Sequence, residues 1–249
     1  MMKECCFLVV LIVIPIAMTA QEIITDRPDQ TESSTTIPSK SFQFETGIVL
    51  ENNRHENLAE QALLIPTTLL RYGLNNIIEL RLGEQLTYLK NKHTFEDYFG
   101  LSDTELGFKI QLLRDPAINS EIAFISHLII PTGASGITNN KIGTLTKVAI
   151  SHSITDFIDL GYNVGYTSFC QAKGDLTYSV AVGFGLTSRI GTYCETYGEF
   201  AGLHDLISNF DAGFTYLIKN FMQFDCSFGL GLNRKMNYFS IGYSMNISK

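Results

Sequence analysis

The histidines are the first residues to consider for chemistry, because imidazole serves both as a general base and as a metal ligand. His127, His152 and His204 lie far apart in the sequence, and none has a second ligand-type residue at a metal-motif spacing. We therefore predict no metal site. Gly183-x-Gly185 and Gly229-x-Gly231 put small residues on one strand face rather than in a phosphate-binding loop, so no cofactor is predicted either.

Ser151-His152-Ser153 is the nearest approach to a nucleophile with its base. Adjacent residues of a strand point to opposite faces, so His152 cannot readily serve either neighbouring serine. We predict no catalytic residue, and hydrolysis remains the third and least favoured hypothesis.

The elements that would carry such side chains are strands. From Ser41 onward, large apolar residues alternate with small or polar ones, as in Leu176-x-Tyr178-x-Val180-x-Val182-x-Phe184. Each run has about ten residues, the length with which a tilted strand crosses a bilayer. About twelve runs are predicted, near 41–50, 61–73, 76–89, 102–113, 119–130, 141–152, 156–169, 175–187, 192–201, 209–218, 221–232 and 236–247.

Two segments precede the strands. Lys3, the apolar stretch from Phe7 to Ala17 and the small residues up to Ala20 predict a cleavable signal peptide over residues 1–20. Residues 21–40 lack helical or strand periodicity and are predicted to be an irregular periplasmic segment, which can enter the barrel of residues 41–249. In it, Asp26 and Asp29 either contact a cation or form a turn around Pro28.

Composition excludes one class of partner. Only 17% of the residues are charged, and the net charge is -7. A nucleic-acid-binding protein normally has a basic face, so we predict no nucleic-acid partner.

The predicted connections differ in length according to their position. The first, third and later odd-numbered ones, such as 51–60, 90–101 and 131–140, are longer than the even-numbered ones, such as 74–75 and 153–155. Bacterial outer-membrane barrels have long external loops and short periplasmic turns. We therefore predict an all-β, transmembrane, antiparallel up-and-down barrel of about twelve strands in the outer membrane, with its apolar face toward lipid.

Charged residues on the polar strand faces then line the lumen. They are Glu45, Arg71, Glu79, Arg81, Glu105, Lys109, Lys147, Asp159, Glu195 and Asp225. Their signs are mixed, which is typical of a structural network of ion pairs in a narrow interior. The same residues are also suited to lining a path for a small solute, and both interpretations stay open.

Several motifs resemble one known family. Asp26-Arg27-Pro28-Asp29-Gln30-Thr31-Glu32-Ser33, Phe42-Gln43-Phe44-Glu45-Thr46-Gly47 and Leu69-Leu70-Arg71-Tyr72-Gly73-Leu74 are similar to sequences of the meta-pathway of phenol degradation family. This is a family of outer-membrane barrels labelled transporters in Bacteroidota. The resemblance implies uptake of small hydrophobic or aromatic compounds. One departure is the C-terminus, Asn246-Ile247-Ser248-Lys249, which lacks the terminal aromatic residue common in such barrels.

The leading hypothesis is a passive channel or transporter for a small solute, with outer-membrane lipid and that solute as partners. The alternative is a closed barrel with a structural or adhesive role.

Overall fold

The computed structural model describes residues 23–55, 58–92, 94, 96–170 and 173–247. The predicted signal peptide lies outside these residues. The strands are β1 (Phe42–His55), β2 (Leu58–Gly73), β3 (Ile78–Asn91), β4 (Asp97–Leu101), β5 (Thr104–Asp115), β6 (Ser120–Ile130), β7 (Gly143–Thr155), β8 (Ile158–Phe169), β9 (Asp175–Gly185), β10 (Ile190–Ala201), β11 (Asp205–Lys219), β12 (Met222–Gly231) and β13 (Lys235–Ile247).

The strands form one closed antiparallel barrel. Apart from β4, each strand pairs with the strands that flank it in chain order, and β1 pairs with both β2 and β13, which closes the sheet. Twelve strands make the wall, because β4 pairs only with the outer part of β3 while β5 pairs with the rest. The predicted fold and number of wall strands are confirmed. Strand β4 was not predicted, since its five residues fall in the expected connection 90–101.

The distribution of apolar and polar side chains in the barrel is the reverse of that in a water-soluble protein. Phe214, Phe224 and Phe239 each expose about half of their surface on the outside, whereas Arg71 and Lys109 are completely buried inside. Outward apolar and inward polar residues are the arrangement of a barrel in a membrane. Among the described residues, no helix is long and apolar enough to cross a membrane.

The two ends of the barrel differ, although less than the sequence predicts. At one end, here called the turn end, the connections such as 156–157 and 220–221 are short. At the other, the loop end, the connections 92–96 and 131–142 are the long ones. The expected first loop, 51–60, is instead mostly strand, because β1 and β2 continue as a hairpin to His55 and from Leu58.

Pro66 is accommodated within β2 by an irregularity in the pairing. The registers with β1 and β3 both shift between Leu64 and Thr67, so Pro66 has no paired residue on either side. A proline has no N–H to donate, and a bulge is where a strand tolerates it.

Candidate functional site: the lumen and the segment inside it

The structure brings five of the ten residues predicted to line the lumen together. Glu45, Arg71, Glu79, Arg81 and Lys109 form one buried cluster around Asp26. The other five lie apart from this cluster. Lys147 and Glu105 border a cavity at the loop end, Asp159 borders one at the turn end, and Glu195 and Asp225 contact the N-terminal segment.

Residues 23–41, here called the N-terminal segment, occupy the lumen. The segment enters at the turn end, where the Ile23 amide donates a hydrogen bond of 2.7 Å to the Asn220 carbonyl. Asp26 reaches across to β2, β3 and β5, and one series of other contacts follows the inner wall in descending strand order. Its contacts are Thr25 with Gln223 of β12, Gln30 with Glu195 of β10, Thr31 with Ser179 of β9, Glu32 with Asn163 of β8, Ser34 with Ser151 of β7, Thr35 with Glu121 of β6, Thr36 with Gln111 of β5 and Ile37 with Glu79 of β3.

Asp26 is the centre of the buried cluster. Its carboxylate lies 2.7 Å from Arg81 Nη1, 3.0 Å from Lys109 Nζ and 3.5 Å from Arg71 Nη1. The Ser33 amide and hydroxyl donate further hydrogen bonds of 2.8 and 2.7 Å to Asp26 Oδ1. One carboxylate of the segment therefore binds cations from β2, β3 and β5.

Within this cluster, Arg71 also binds two carboxylates of the barrel wall. Its guanidinium makes a two-point contact with Glu79, through Nε at 2.7 Å and Nη2 at 2.9 Å, and Nη1 lies 2.8 Å from Glu45. Such forked contacts fix the orientation of both groups. The Asp26 amide donates to the other Glu45 oxygen at 3.0 Å, so the segment is held by its backbone as well.

The electrostatics of the segment follow from these contacts. Burial disfavours the ionised form of Asp26, but Arg71, Lys109 and Arg81 outweigh it and hold the pKa of Asp26 well below its usual value. Burial likewise opposes ionisation of Glu32, and Lys147 with Arg81 lowers the pKa of Glu32. Both carboxylates are therefore charged at neutral pH.

Arg27 crosses the seam where the first and last strands of the barrel meet. Gly47 of β1 and Gly242 of β13 are paired across it, and a Cβ on either would stand 2.5 Å from Arg27 Nη2. The absence of side chains at both positions lets the guanidinium lie flat on the wall. From there it donates to Asp225 at 3.1 Å and to Ser240 at 2.8 Å.

Cavities lie on both sides of the segment. At the loop end, three lobes of about 330, 220 and 390 Å³ all border Gln30, and together they form a vestibule. At the turn end, a cavity of about 490 Å³ borders Ser34, Thr35 and Asp159. The segment lies between the vestibule and this second cavity.

The histidines have partners that the sequence did not reveal. His127 Nδ1 lies 2.9 Å from Glu105 in the vestibule wall. His152 Nδ1 lies 2.7 Å from the hydroxyl of Ser120, its cross-strand neighbour on β6, and His152 Nε2 lies 3.1 Å from the Tyr162 hydroxyl. Among the described residues, no group of three or more histidine, cysteine, aspartate or glutamate side chains could hold a metal ion.

Sequence reasoning overlooked several residues of the lumen. Asp211, Tyr193 and Tyr238 are buried inside it, and strand parity could have identified them, since each shares a strand face with Asn209, Glu195 or Ser240. Asp26 and Glu32 lie outside any strand, so no parity rule applies to them. Asp26 was predicted either to contact a cation or to form a turn, whereas Glu32 offered only its acidic character next to a predicted barrel with inward-facing cations.

Comparison with known proteins places the fold. A model of the family described as "Putative MetA-pathway of phenol degradation" matches residues 25–248. The crystal structure of the COG4313 outer membrane channel from Pseudomonas putida F1 is similar with a TM-score of 0.77 and 10% identity, covering 86% of this chain and 98% of that one. The KdgM porin in complex with disordered oligogalacturonate has a TM-score of 0.54 at 10% identity, covering 82% and 98%.

A channel for monoaromatic hydrocarbons, CymD, has a TM-score of 0.50 at 10% identity, with 86% of this chain and 90% of that chain covered. No curated protein matches the sequence. At such identities the likeness to solved structures shows a shared fold, that of outer-membrane barrels.

Proposed function

This chain belongs to the MetA-pathway of phenol degradation family, and on that premise we propose that it is a passive outer-membrane channel for a small solute. Outer-membrane barrels place their short turns in the periplasm. The turn end is then periplasmic, and the vestibule opens toward the cell exterior. The apolar outer surface of the strands faces lipid.

The observation that carries this proposal is the pair of cavities on either side of the N-terminal segment. The vestibule lies on the loop-end side of the segment and the turn-end cavity on its other side, so the segment separates the two. A wall of polar side chains can exchange contacts with water or a solute as the segment shifts. Transport therefore requires that the segment move aside or leave a narrow gap.

The solute class is proposed as small and hydrophobic or aromatic. The similar barrel CymD is a monoaromatic hydrocarbon channel, which supports this class. Tyr197 and Tyr238 border the largest lobe of the vestibule and give it aromatic surface. Pockets that bind small organic ligands commonly combine such rings with a few polar groups.

A closed structural or adhesive barrel is the second candidate, and the cluster around Asp26 favours it. Removing either partner of a buried ion pair is strongly destabilising, so a segment held by three cations resists displacement.

Planar-bilayer recordings separate the two candidates. A channel gives single-channel currents that change in Arg71→Ala or Arg81→Ala, because both guanidiniums hold the segment, Arg71 through Asp26 and Arg81 through Glu32. A structural barrel gives no current in the wild type, and the same variants only lower the temperature at which the folded form is lost on a gel.

We propose no catalytic role for the Ser120–His152 pair. The Ser120 hydroxyl donates at 2.9 Å to the Ile118 carbonyl, and the side chain is almost fully buried, so the oxygen is poorly placed to attack a substrate. Lipid cleavage by the purified wild type that is lost in His152→Ala would contradict this assignment.

A further inference from the structure

Three rows of side chains follow one another on the outer face of the barrel, where β13, β1 and β2 lie side by side near the loop end. Residues that are paired across neighbouring strands share a row, and successive rows are two residues apart along each strand. The first, here called the apolar row, consists of Phe239, Leu50 and Leu63. The second, the amide row, consists of Asn237, Asn52 and Gln61. A third row, closer to the loop end, carries positive charge.

The third row, here called the basic row, contains Lys235, Arg54 and Lys92. Lys235 and Arg54 are directly paired. On its other side Arg54 is paired with Ala59, whose carbonyl accepts a hydrogen bond of 2.8 Å from the Lys92 amide. All three basic residues are exposed. Three cations therefore lie at one level of the outer surface.

These cations have no counter-charge within the described part of the chain. No carboxylate of the described residues lies within 4.0 Å of any of them. Glu51 and Glu60 belong to the inner face, because they alternate with the residues of the three rows. Like charges directly opposite each other destabilise a strand pair, so the pairing of Arg54 with Lys235 costs free energy that a bound anion would recover.

The amide row is ordered by hydrogen bonds between its side chains. Gln61 Nε2 donates to Asn52 Oδ1 at 3.1 Å, and Asn52 Nδ2 donates to Asn237 Oδ1 at 3.0 Å. Lys90 of β3 continues this row beside Gln61, and it is itself paired with Asp97 of β4. The amide row is therefore neutral overall, and the uncompensated positive charge begins one row further out.

The spacing of the rows matches the depth of a lipid head group. Two residues of a strand span about 6.7 Å, so the basic row lies about 13 Å along the strands from the apolar row. Strands tilted by about 40° convert this into roughly 10 Å along the membrane normal. The head-group region on each side of a bilayer is about 5–8 Å thick. With the apolar row at the edge of the hydrocarbon, the amide row lies among the head groups and the basic row at their outer margin.

We propose that this surface binds a phosphorylated lipid of the outer leaflet. Its phosphates contact the basic row, the ester and amide linkages of its acyl chains contact the amide row, and the acyl chains cover the apolar row. Guanidinium and ammonium groups bind phosphate oxygens through charge-assisted hydrogen bonds, and clusters of basic residues beside a membrane attract anionic lipids. A free phosphate ion would use only the basic row. The assignment to the outer leaflet rests on the proposed function, which places the loop end outside the cell.

Native mass spectrometry of the refolded full-length barrel in maltoside micelles tests this proposal. The probe is diphosphoryl lipid A, and the matched control is the same lipid without its phosphates, which we expect to bind at least tenfold more weakly. Each basic residue near a charged lipid is worth about a factor of five in affinity, so Arg54→Gln combined with Lys235→Gln should weaken binding by a factor of about 25. Lys141→Gln combined with Lys173→Gln removes the same charge from exposed positions in two other loops and should leave binding unchanged.

The stability of the variant without lipid is a second readout. Because Arg54 and Lys235 repel each other, the double variant should lose its folded form on a gel at a temperature no lower than that of the wild type. A lower temperature would show that the two side chains stabilise the protein itself and would overturn the proposal. So would equal binding of the two lipids, unchanged binding in the double variant, an equal loss in the control pair, or binding of inorganic phosphate alone as tightly as lipid A.

The side of the membrane is tested separately by labelling. Cys170 is exposed at the loop end, whereas Cys194 and Cys226 lie within strands. A membrane-impermeant maleimide should therefore label Cys170 in intact cells, and labelling only after the outer membrane is disrupted would overturn the assignment to the outer leaflet. Conductance is recorded independently. Lipid A preference without any wild-type current would sink the channel and leave the lipid site, whereas current without that preference would do the reverse.

Discussion

Replacing Asp26 by asparagine is expected to release the N-terminal segment from the wall of the barrel. The carboxylate lies 2.7 Å from Arg81 and 3.0 Å from Lys109, and it is almost completely buried. Removing one partner of a buried ion pair costs about 3–5 kcal/mol, because the other charge remains buried without a counter-charge. At about 1.4 kcal/mol per factor of ten, the ratio of docked to released segment falls by a factor of roughly a hundred to a few thousand.

Two measurements follow this change. In planar bilayers, Asp26→Asn should conduct more than the wild type or stay open for longer. On a gel, its heat-induced shift should occur at a lower temperature. Asp156→Asn is the matched control, because that residue is exposed in the turn between β7 and β8. If Asp26→Asn has the current and transition temperature of the wild type, Asp26 does not hold the segment and the account of the cluster is wrong.

Two further predictions concern the same lumen. Gly47→Ala places a Cβ 2.5 Å from Arg27 Nη2 and should cost about 1–3 kcal/mol, seen as a lower gel transition temperature, whereas Gly183→Ala, where the nearest atom is 4.0 Å away, should not. Because the folded-state pKa of Asp26 is lowered, its contribution to docking is present above pH ~4 and is lost as the pH falls further, so open-channel current should rise in acid.

The wall of the barrel could be predicted from the sequence because alternation is a local property. A run such as Leu176 to Phe184 fixes both the strand and its two faces without knowledge of its neighbours. Strand β4 was missed because its five residues are too few to show an alternation of apolar and polar side chains. Tyr193 and Tyr238 were overlooked although their parity is inward, because tyrosine in such barrels is usually assigned to the outer girdles.

The contacts inside the barrel depend on register, which a single sequence does not reveal. Arg71, Arg81 and Lys109 meet at Asp26 only because Arg71 is paired with Arg81, and Glu79 with Lys109, across neighbouring strands. The partner of His152 also depends on register. The neighbouring serines on its own strand are excluded, but Ser120 becomes adjacent once β6 and β7 are aligned.

The position of Arg27 has a consequence for how the barrel assembles. The seam between β1 and β13 joins strands from opposite ends of the chain, and bringing such distant segments together carries the largest loss of chain entropy. Arg27 precedes β1 closely, yet it binds Asp225 and Ser240 on the far side of that seam. Its contacts form only when the last strand arrives, and they offset part of the entropy of closure. Filling the interior and sealing the wall are thus one cooperative step, and the chain closes around its own leading segment.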